Sequence, residues 1–154
     1  MPTVFVMSSE DGCERTRLVI AADPMAVRQA LITLFQHLMA GRISADACDT
    51  AQIVLAEALN NIVEHAYAQT PGEIEVTIDV SSLGLTCRIM DAGLPLPGGA
   101  LPKGHLPLMR PEEDLPEGGF GWHLIRTLSQ DLNYRREGER NFLSFRIAAQ
   151  QYPH

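Results

Sequence analysis

The stretch Ile53-Val-Leu-Ala-Glu-Ala-Leu-Asn-Asn-Ile-Val-Glu-His-Ala-Tyr67 sets the reading of the whole chain. Leu55, Leu59, Ile62 and Ala66 recur at spacings of three and four, the period of a helix with one buried stripe. Glu57, Asn61 and His65 fall four apart and share a second face beside that stripe. A mostly apolar helix that keeps a carboxylate and two amides, Asn60 and Asn61, in its middle carries a local conflict. Asn side chains compete for backbone hydrogen bonds and disfavour helix interiors. Such conflicts collect at functional sites; the plain alternative is a solvated helix flank.

Ser44-Ala-Asp-Ala precedes the stretch, with Ser44 as the expected cap and Asp46 at the positive end of the helix dipole. Before it, Arg15–Ala22 has a β-type apolar run. Asp23-Pro24 reads as a cap followed by proline at the first helical position. Val27, Leu31, Leu34 and Leu38 predict a helix to about Ala40, ended by Gly41. Residues 1–14 are polar and mixed, either a loose end or a short edge strand.

Beyond Tyr67 comes the turn Gln69-Thr-Pro-Gly72. Ile74, Val76, Ile78 and Val80 then alternate with Glu73, Glu75, Thr77 and Asp79, a half-buried strand of period two. Leu85–Met90 should pair with it as a hairpin. The segment 91–119 holds six of the ten prolines, Pro95, Pro97, Pro102, Pro107, Pro111 and Pro116. That density excludes regular structure, and a loop of this length in a compact domain is usually functional, often a lid. Phe120–Leu132 resumes a helical pattern. Asn133–Gly138 and Asn141–Ala148 read as a closing hairpin.

The chain of 154 residues fits one domain. At this length about 70% of the unfolded surface can be buried. No apolar run reaches the roughly 18 residues of a membrane helix. The start Met-Pro-Thr-Val-Phe-Val-Met lacks a basic leader, so no signal peptide is expected. The net charge is −7, and the one dense basic cluster, Arg135-Arg136 with Arg140, is interrupted by acids. Both features argue against a direct nucleic-acid partner. Cys13, Cys48 and Cys87 are widely spaced and odd in number, which suits small buried or half-buried thiols in a reducing cytosol.

Three short patterns stand in order: Glu57-x-x-x-Asn61 on a helix, Asp91-Ala-Gly93-Leu-Pro95 after a strand, and Glu117-Gly118-Gly119-Phe120-Gly121 opening a helix. Each alone is weak, but together they suit a nucleotide. A carboxylate at a strand end can accept a purine's exocyclic amine, and Gly93 lets the backbone come close to the ring. Gly118, Gly119 and Gly121 leave amides free at a helix N-terminus, where phosphate binds. Asn61 offers a neutral oxygen to Mg²⁺. Glu57, one turn earlier, can act as a base beside metal-bound phosphate.

With these motifs the chain resembles the histidine-kinase-like ATPases of the Bergerat fold, the GHKL superfamily. Within it, the chain is similar to bacterial anti-sigma-factor serine/threonine kinases of the RsbW type. The likeness runs from about Arg15 to Ala148. Ala56–Tyr67 matches the N box, Asp91-x-Gly93-x-Pro95 the G1 box, and Gly119-x-Gly121 through Arg126 and Leu128 the G2 box. The resemblance implies an α/β two-layer sandwich, with a mixed, mainly antiparallel sheet and helices on one face. It implies Mg²⁺ on Asn61, Glu57 as base, adenine on Asp91 with Gly93 and Pro95 shaping the pocket, and phosphates on Gly118, Gly119 and Gly121. It implies an ATP lid over about 95–118, in which Lys103, His105 and Arg110 are the cationic candidates. His65 occupies a family position and is read as a packing residue. The implied function is ATP-dependent phosphorylation of a STAS-type anti-sigma-factor antagonist in a cytoplasmic partner-switching pathway. The kinase would be a homodimer and in many relatives also holds a sigma factor. The alternative is an ATP-binding module that sequesters a sigma factor without useful kinase activity. One departure stands out. Where the family often carries Gly-Thr-Thr on its last strand to support the adenine Asp, this chain has Arg140-Asn141-Phe-Leu-Ser144. Asn141 and Ser144 are both open as substitutes.

Overall fold

The computed structural model describes residues 4–10, 13–39, 41, 43–67, 70–102 and 119–149. Six strands and three helices are built in the order β1 (Val4–Glu10), β2 (Cys13–Ala21), α1 (Pro24–Met39), α2 (Ala45–Asn61), β3 (Glu73–Ser81), β4 (Gly84–Asp91), α3 (Gly119–Leu128), β5 (Gln130–Glu137) and β6 (Arg140–Ala148). The sheet order is β1-β2-β3-β4-β6-β5. All five ladders are antiparallel, so the expected antiparallel majority extends to every described pair. The N-terminal segment, open between tail and strand in sequence, forms the edge strand β1.

Period-two alternation sorts the sheet into a wet and a dry face. Leu18 and Ile20, Ile74 to Val80, Leu85 to Ile89, and Leu143 to Ile147 turn their alternate residues into the core. Arg15, Arg17, Thr77, Arg88, Arg135 and Phe142 line the opposite face. The helices cover the dry face. Val27, Ala30, Leu34, Phe35 and Leu38 of α1 and Ala51, Val54, Leu55, Ala58 and Leu59 of α2 close the core.

Local signals set the helix starts. Asp23 Oδ2 accepts from Ala26 N at 2.9 Å, and Ser44 Oγ accepts from Ala47 N at 3.2 Å, so both expected caps satisfy orphan amides. Ser44 also donates to Ala149 O at 2.6 Å, tying α2 to the end of β6.

Two boundaries differ from the sequence reading. The long helix does not run unbroken to Tyr67: α2 ends at Asn61, and Ile62–Ala66 form a π turn closed by Tyr67 N donating to Ile62 O at 3.1 Å. Single π turns of this kind are frequent at functional sites. The helix expected to reach Leu132 stops at Leu128. There Ser129 donates both its backbone N–H (3.1 Å) and its hydroxyl to Ile125 O, and Asp131 adopts a left-handed φ of 54° beside a register shift between Gln130 and Asn133. Leu132 thus belongs to β5, where it is half-buried against the core. Among its described residues, the proline-rich segment contains a 3₁₀ turn over Pro97–Gly99. Residues 103–118, most of the expected lid, lie outside the described residues, and with them Lys103, His105, Arg110 and Gly118.

The basic cluster Arg135-Arg136-Arg140 does not survive folding as a cluster. Alternation sends Arg135 to the wet face, where its guanidinium lies 4.6 Å from the centroid of the Phe142 ring. Arg136 points the other way, into the site described below. Cys48 and Cys87 are buried and Cys13 is half-buried, all as free thiols; burial pushes the Cys87 thiol up to about 12. Among the described residues no helix is long and apolar enough to cross a membrane.

Candidate functional site

The site lies where the C-terminal end of α2, the end of β4, the start of α3 and the β5–β6 hairpin converge. A cavity of about 50 Å³ between them is lined by Ala58, Asn61 and Ala66 of the α2–π segment, by Asp91, by Leu94 to Pro97, by Trp122, and by Tyr134, Asn141 and Leu143. Of the residues singled out in sequence, Asn61, Asp91 and Pro95 meet on this cavity, and His65 lies on it too.

Asp91 is the last residue of β4 and is 4% exposed. Its Oδ1 accepts from Gly93 N at 2.9 Å and from Asn141 Nδ2 at 2.8 Å. Both of its hydrogen bonds to described residues fall on Oδ1, which leaves Oδ2 as the acceptor for something else. Burial pushes the carboxyl up from the ordinary 3.8, against the pull of Asn141, the Gly93 N–H and the Arg136 guanidinium.

Asn141 is the hub behind Asp91. Its Oδ1 accepts from Tyr134 Oη at 2.6 Å and from Arg136 Nη1 at 3.1 Å. Its Nδ2 donates to Leu94 O at 2.9 Å as well as to Asp91. A guanidinium can only donate and a carboxylate can only accept, so the amide cannot turn round without losing both. Of the two residues left open in sequence, Asn141 bonds to Asp91. Ser144 does not: it lines the wet face of the sheet, away from Asp91. Arg136 also donates to Gly93 O at 2.6 Å, and Tyr134 Oη accepts from Leu96 N at 3.0 Å. These bonds hold the turn after Asp91.

Gly93 is required by a close approach of backbone to backbone. A Cβ on it would lie 2.5 Å from Ala66 O, so the backbone it admits is that of the π turn, and Leu94 N donates to the same carbonyl at 2.9 Å. Tyr67 pins the other side, donating to Glu73 O at 2.9 Å and accepting from Ala92 N at 2.7 Å.

At the other end of the site, α3 begins with Gly119. A Cβ on Gly121 would fall 2.7 Å from Glu57 Oε2 and 3.5 Å from Asn61 Nδ2. The glycine-bearing helix start thus abuts the carboxylate and the amide of the N-box helix, from opposite halves of the sequence. Asn61 is 8% exposed, and its Nδ2 is buried with no partner among the described residues. An unmet buried donor costs about 1–3 kcal/mol, so the position suits an external acceptor. The two ends of an amide have the same shape, and a half-turn presents Oδ1 there instead. Either end fits a metal-bound phosphate: oxygen for the ion, or N–H for a phosphate oxygen. No group of three acidic, His or Cys side chains among the described residues could hold a metal by itself.

Several of these contributors were not visible in sequence. Asn141 was one of two open choices. Arg136 was hidden in an apparent surface cluster, although strand alternation at Leu132, Tyr134 and Arg136 marks one face. Tyr67 and Trp122 carried no signal beyond apolar weight.

Comparison with known proteins gives the family. The histidine kinase-like ATPase domain family matches residues 20–147. Among curated proteins, the chain is 33% identical over 107 residues to the serine-protein kinase RsbW of Bacillus thuringiensis (strain Al Hakam), covering 67% of each chain. It has the same identity and coverage with the RsbW proteins of Bacillus cereus (strain 03BB102) and Bacillus mycoides (strain KBAB4). The family match spans all three motifs, and the chain belongs to the histidine kinase-like ATPase domain family, as a member of the RsbW type.

Proposed function

We propose that this chain is an ATP- and Mg²⁺-dependent protein serine/threonine kinase that acts as an anti-sigma factor. Its substrate would be a STAS-type antagonist, and it would work as a cytoplasmic homodimer. The observation that carries the reading is the convergence of Glu57, Asn61 and Gly121 at one end of a cavity whose other end is the buried acceptor Asp91. That separates a base-recognition end from a phosphate end, as a nucleotide requires.

Asp91 Oδ2 accepts the exocyclic amine of adenine, and Asn141 holds the carboxylate in place. Gly119 and Gly121 present helix N-terminal amides to the phosphates. Asn61 would supply one ligand to the ion. Bound Mg²⁺ would neutralise charge on the phosphates, and transfer then depends mainly on positioning. Glu57 accepts the proton of the incoming serine or threonine hydroxyl. Its partial exposure leaves it reachable by a protein substrate. That exposure favours a kinase over a module that only sequesters a sigma factor.

The test is incubation of the full chain with labelled ATP and candidate STAS partners from the same cell. Glu57→Ala is expected to keep nucleotide binding and to lose transfer by about 10²- to 10⁴-fold. Transfer at the normal rate by that variant would remove Glu57 as the base. Nucleotide-dependent co-purification of a sigma factor, with no label on any STAS protein, would favour the sequestering module.

A further inference from the structure

We propose that the indole of Trp122 takes up room that the purine of a bound nucleotide must occupy, so that Trp122 sets affinity by having to move aside; this rests on the nucleotide reading above. The cavity beside Asp91 measures about 50 Å³. A cavity of about 150 Å³ holds a single benzene ring, so this one is too small for a purine. A purine is a fused bicycle of nearly the same outline as an indole. Something in the wall has to yield before a base can reach Asp91.

Most of the wall is tied down. Leu94 is held through Ala66 O at 2.9 Å and Asn141 Nδ2 at 2.9 Å. Leu96 is held by Tyr134 Oη at 3.0 Å. Asp91, Tyr134 and Asn141 are locked to one another. Ala58 and Leu143 are core residues of α2 and β6. Trp122 is the largest side chain on the cavity among the described residues. It is only 7% exposed, and no hydrogen bond to a described residue fixes its ring. It sits in the first turn of α3, next to Gly121. A residue one position from the phosphate end therefore fills space at the base end. Displacing it forfeits buried apolar contact, which lowers net affinity for the base.

Trp122 is the single tryptophan of the chain, so intrinsic fluorescence reports on it alone. Titration of the full chain with ADP and Mg²⁺ is expected to shift its emission and increase its quenching by acrylamide, saturating at the midpoint found by calorimetry. Trp122→Leu removes the obstruction and should bind ADP about tenfold more tightly, the equivalent of 1.4 kcal/mol. Unchanged emission and quenching across a titration that calorimetry shows to saturate would overturn the proposal without touching the nucleotide reading. So would weaker ADP binding by a folded Trp122→Leu chain, which would make the indole a supporting wall. The fluorescence arm uses the unaltered chain, so it decides the matter even if the leucine variant does not fold. No heat of ADP binding to the unaltered chain would instead remove the nucleotide reading, and this proposal with it.

Discussion

Replacing Asn141 with alanine should expose how much of the site hangs on one amide. The substitution deletes donors to Asp91 Oδ1 (2.8 Å) and Leu94 O (2.9 Å) and the acceptor of Tyr134 Oη (2.6 Å) and Arg136 Nη1 (3.1 Å). Two of the four partners are charged, and hydrogen bonds to charged groups contribute about 1.5–3 kcal/mol each. The loss is partial, because Asp91 keeps the Gly93 N–H and Arg136 keeps Gly93 O, and water can enter the space left behind. The expected destabilisation is about 3 kcal/mol, the lower end of what two such bonds would give together. For a chain of this size each kcal/mol moves Tm by roughly 2–4 °C, so the drop should be about 6–12 °C. With its amide donor gone, the Asp91 carboxyl should rise further above its ordinary value, and ADP affinity should fall at neutral pH. Thermal melts by circular dichroism, paired with calorimetry, read both effects. Arg135→Ala is the control: its side chain lies on the wet face and, among the described residues, pairs with exposed Glu137 and with the Phe142 ring, so its cost should stay within about 1 kcal/mol. A fall in Tm of less than about 2 °C for Asn141→Ala, with ADP affinity unchanged, would refute the assignment of Asn141 as the support of Asp91.

Gly121→Ala places a Cβ 2.7 Å from Glu57 Oε2. The carboxylate can swing away cheaply, so stability should change by less than about 1 kcal/mol while phosphoryl transfer falls by roughly 10²-fold, as expected when a reacting group is displaced by about 1 Å; equal rates would detach Gly121 from Glu57. Tyr67→Phe removes the bonds to Glu73 O and Ala92 N and should lower urea stability by about 1–3 kcal/mol at unchanged m-value; a smaller change would mean that the turn after Asp91 is held without it. Nucleotide binding should weaken as pH falls, at a pH above the ordinary carboxylate value of 3.8, because burial raises Asp91 and the protonated acid cannot accept on both oxygens. Its effect on folding has the opposite sign. A raised folded-state pKa stabilises below the unfolded value, and that contribution is lost as pH rises through the folded one. Calorimetry and melts across the same pH series should therefore diverge, and a parallel decline of both would count against Asp91 as the titrating group.

Local physics was enough for much of the fold. The caps at Asp23 and Ser44, the stripes of α1 and α2, and the alternation in β3 each depend on neighbours a few residues away. The sequence therefore displays them directly. The N box, the Asp91 turn and the glycines before α3 were legible as motifs for the same reason. What only the tertiary structure decided lies across long separations. The sheet register sets Asn141 opposite Asp91, and no local pattern says which polar residue of β6 will face that carboxylate. The pleat sends Arg135 and Arg136 to opposite faces, which turns an apparent surface cluster into one exposed pair and one site residue. The bulge at Asp131 ends α3 earlier than its apolar period suggests. Trp122 reaches the base end of the cavity because α3 packs on α2 from the far half of the chain. Hydrogen-bond partners and shared cavities are properties of the assembled layers, where residues distant in sequence compete for the same few ångströms.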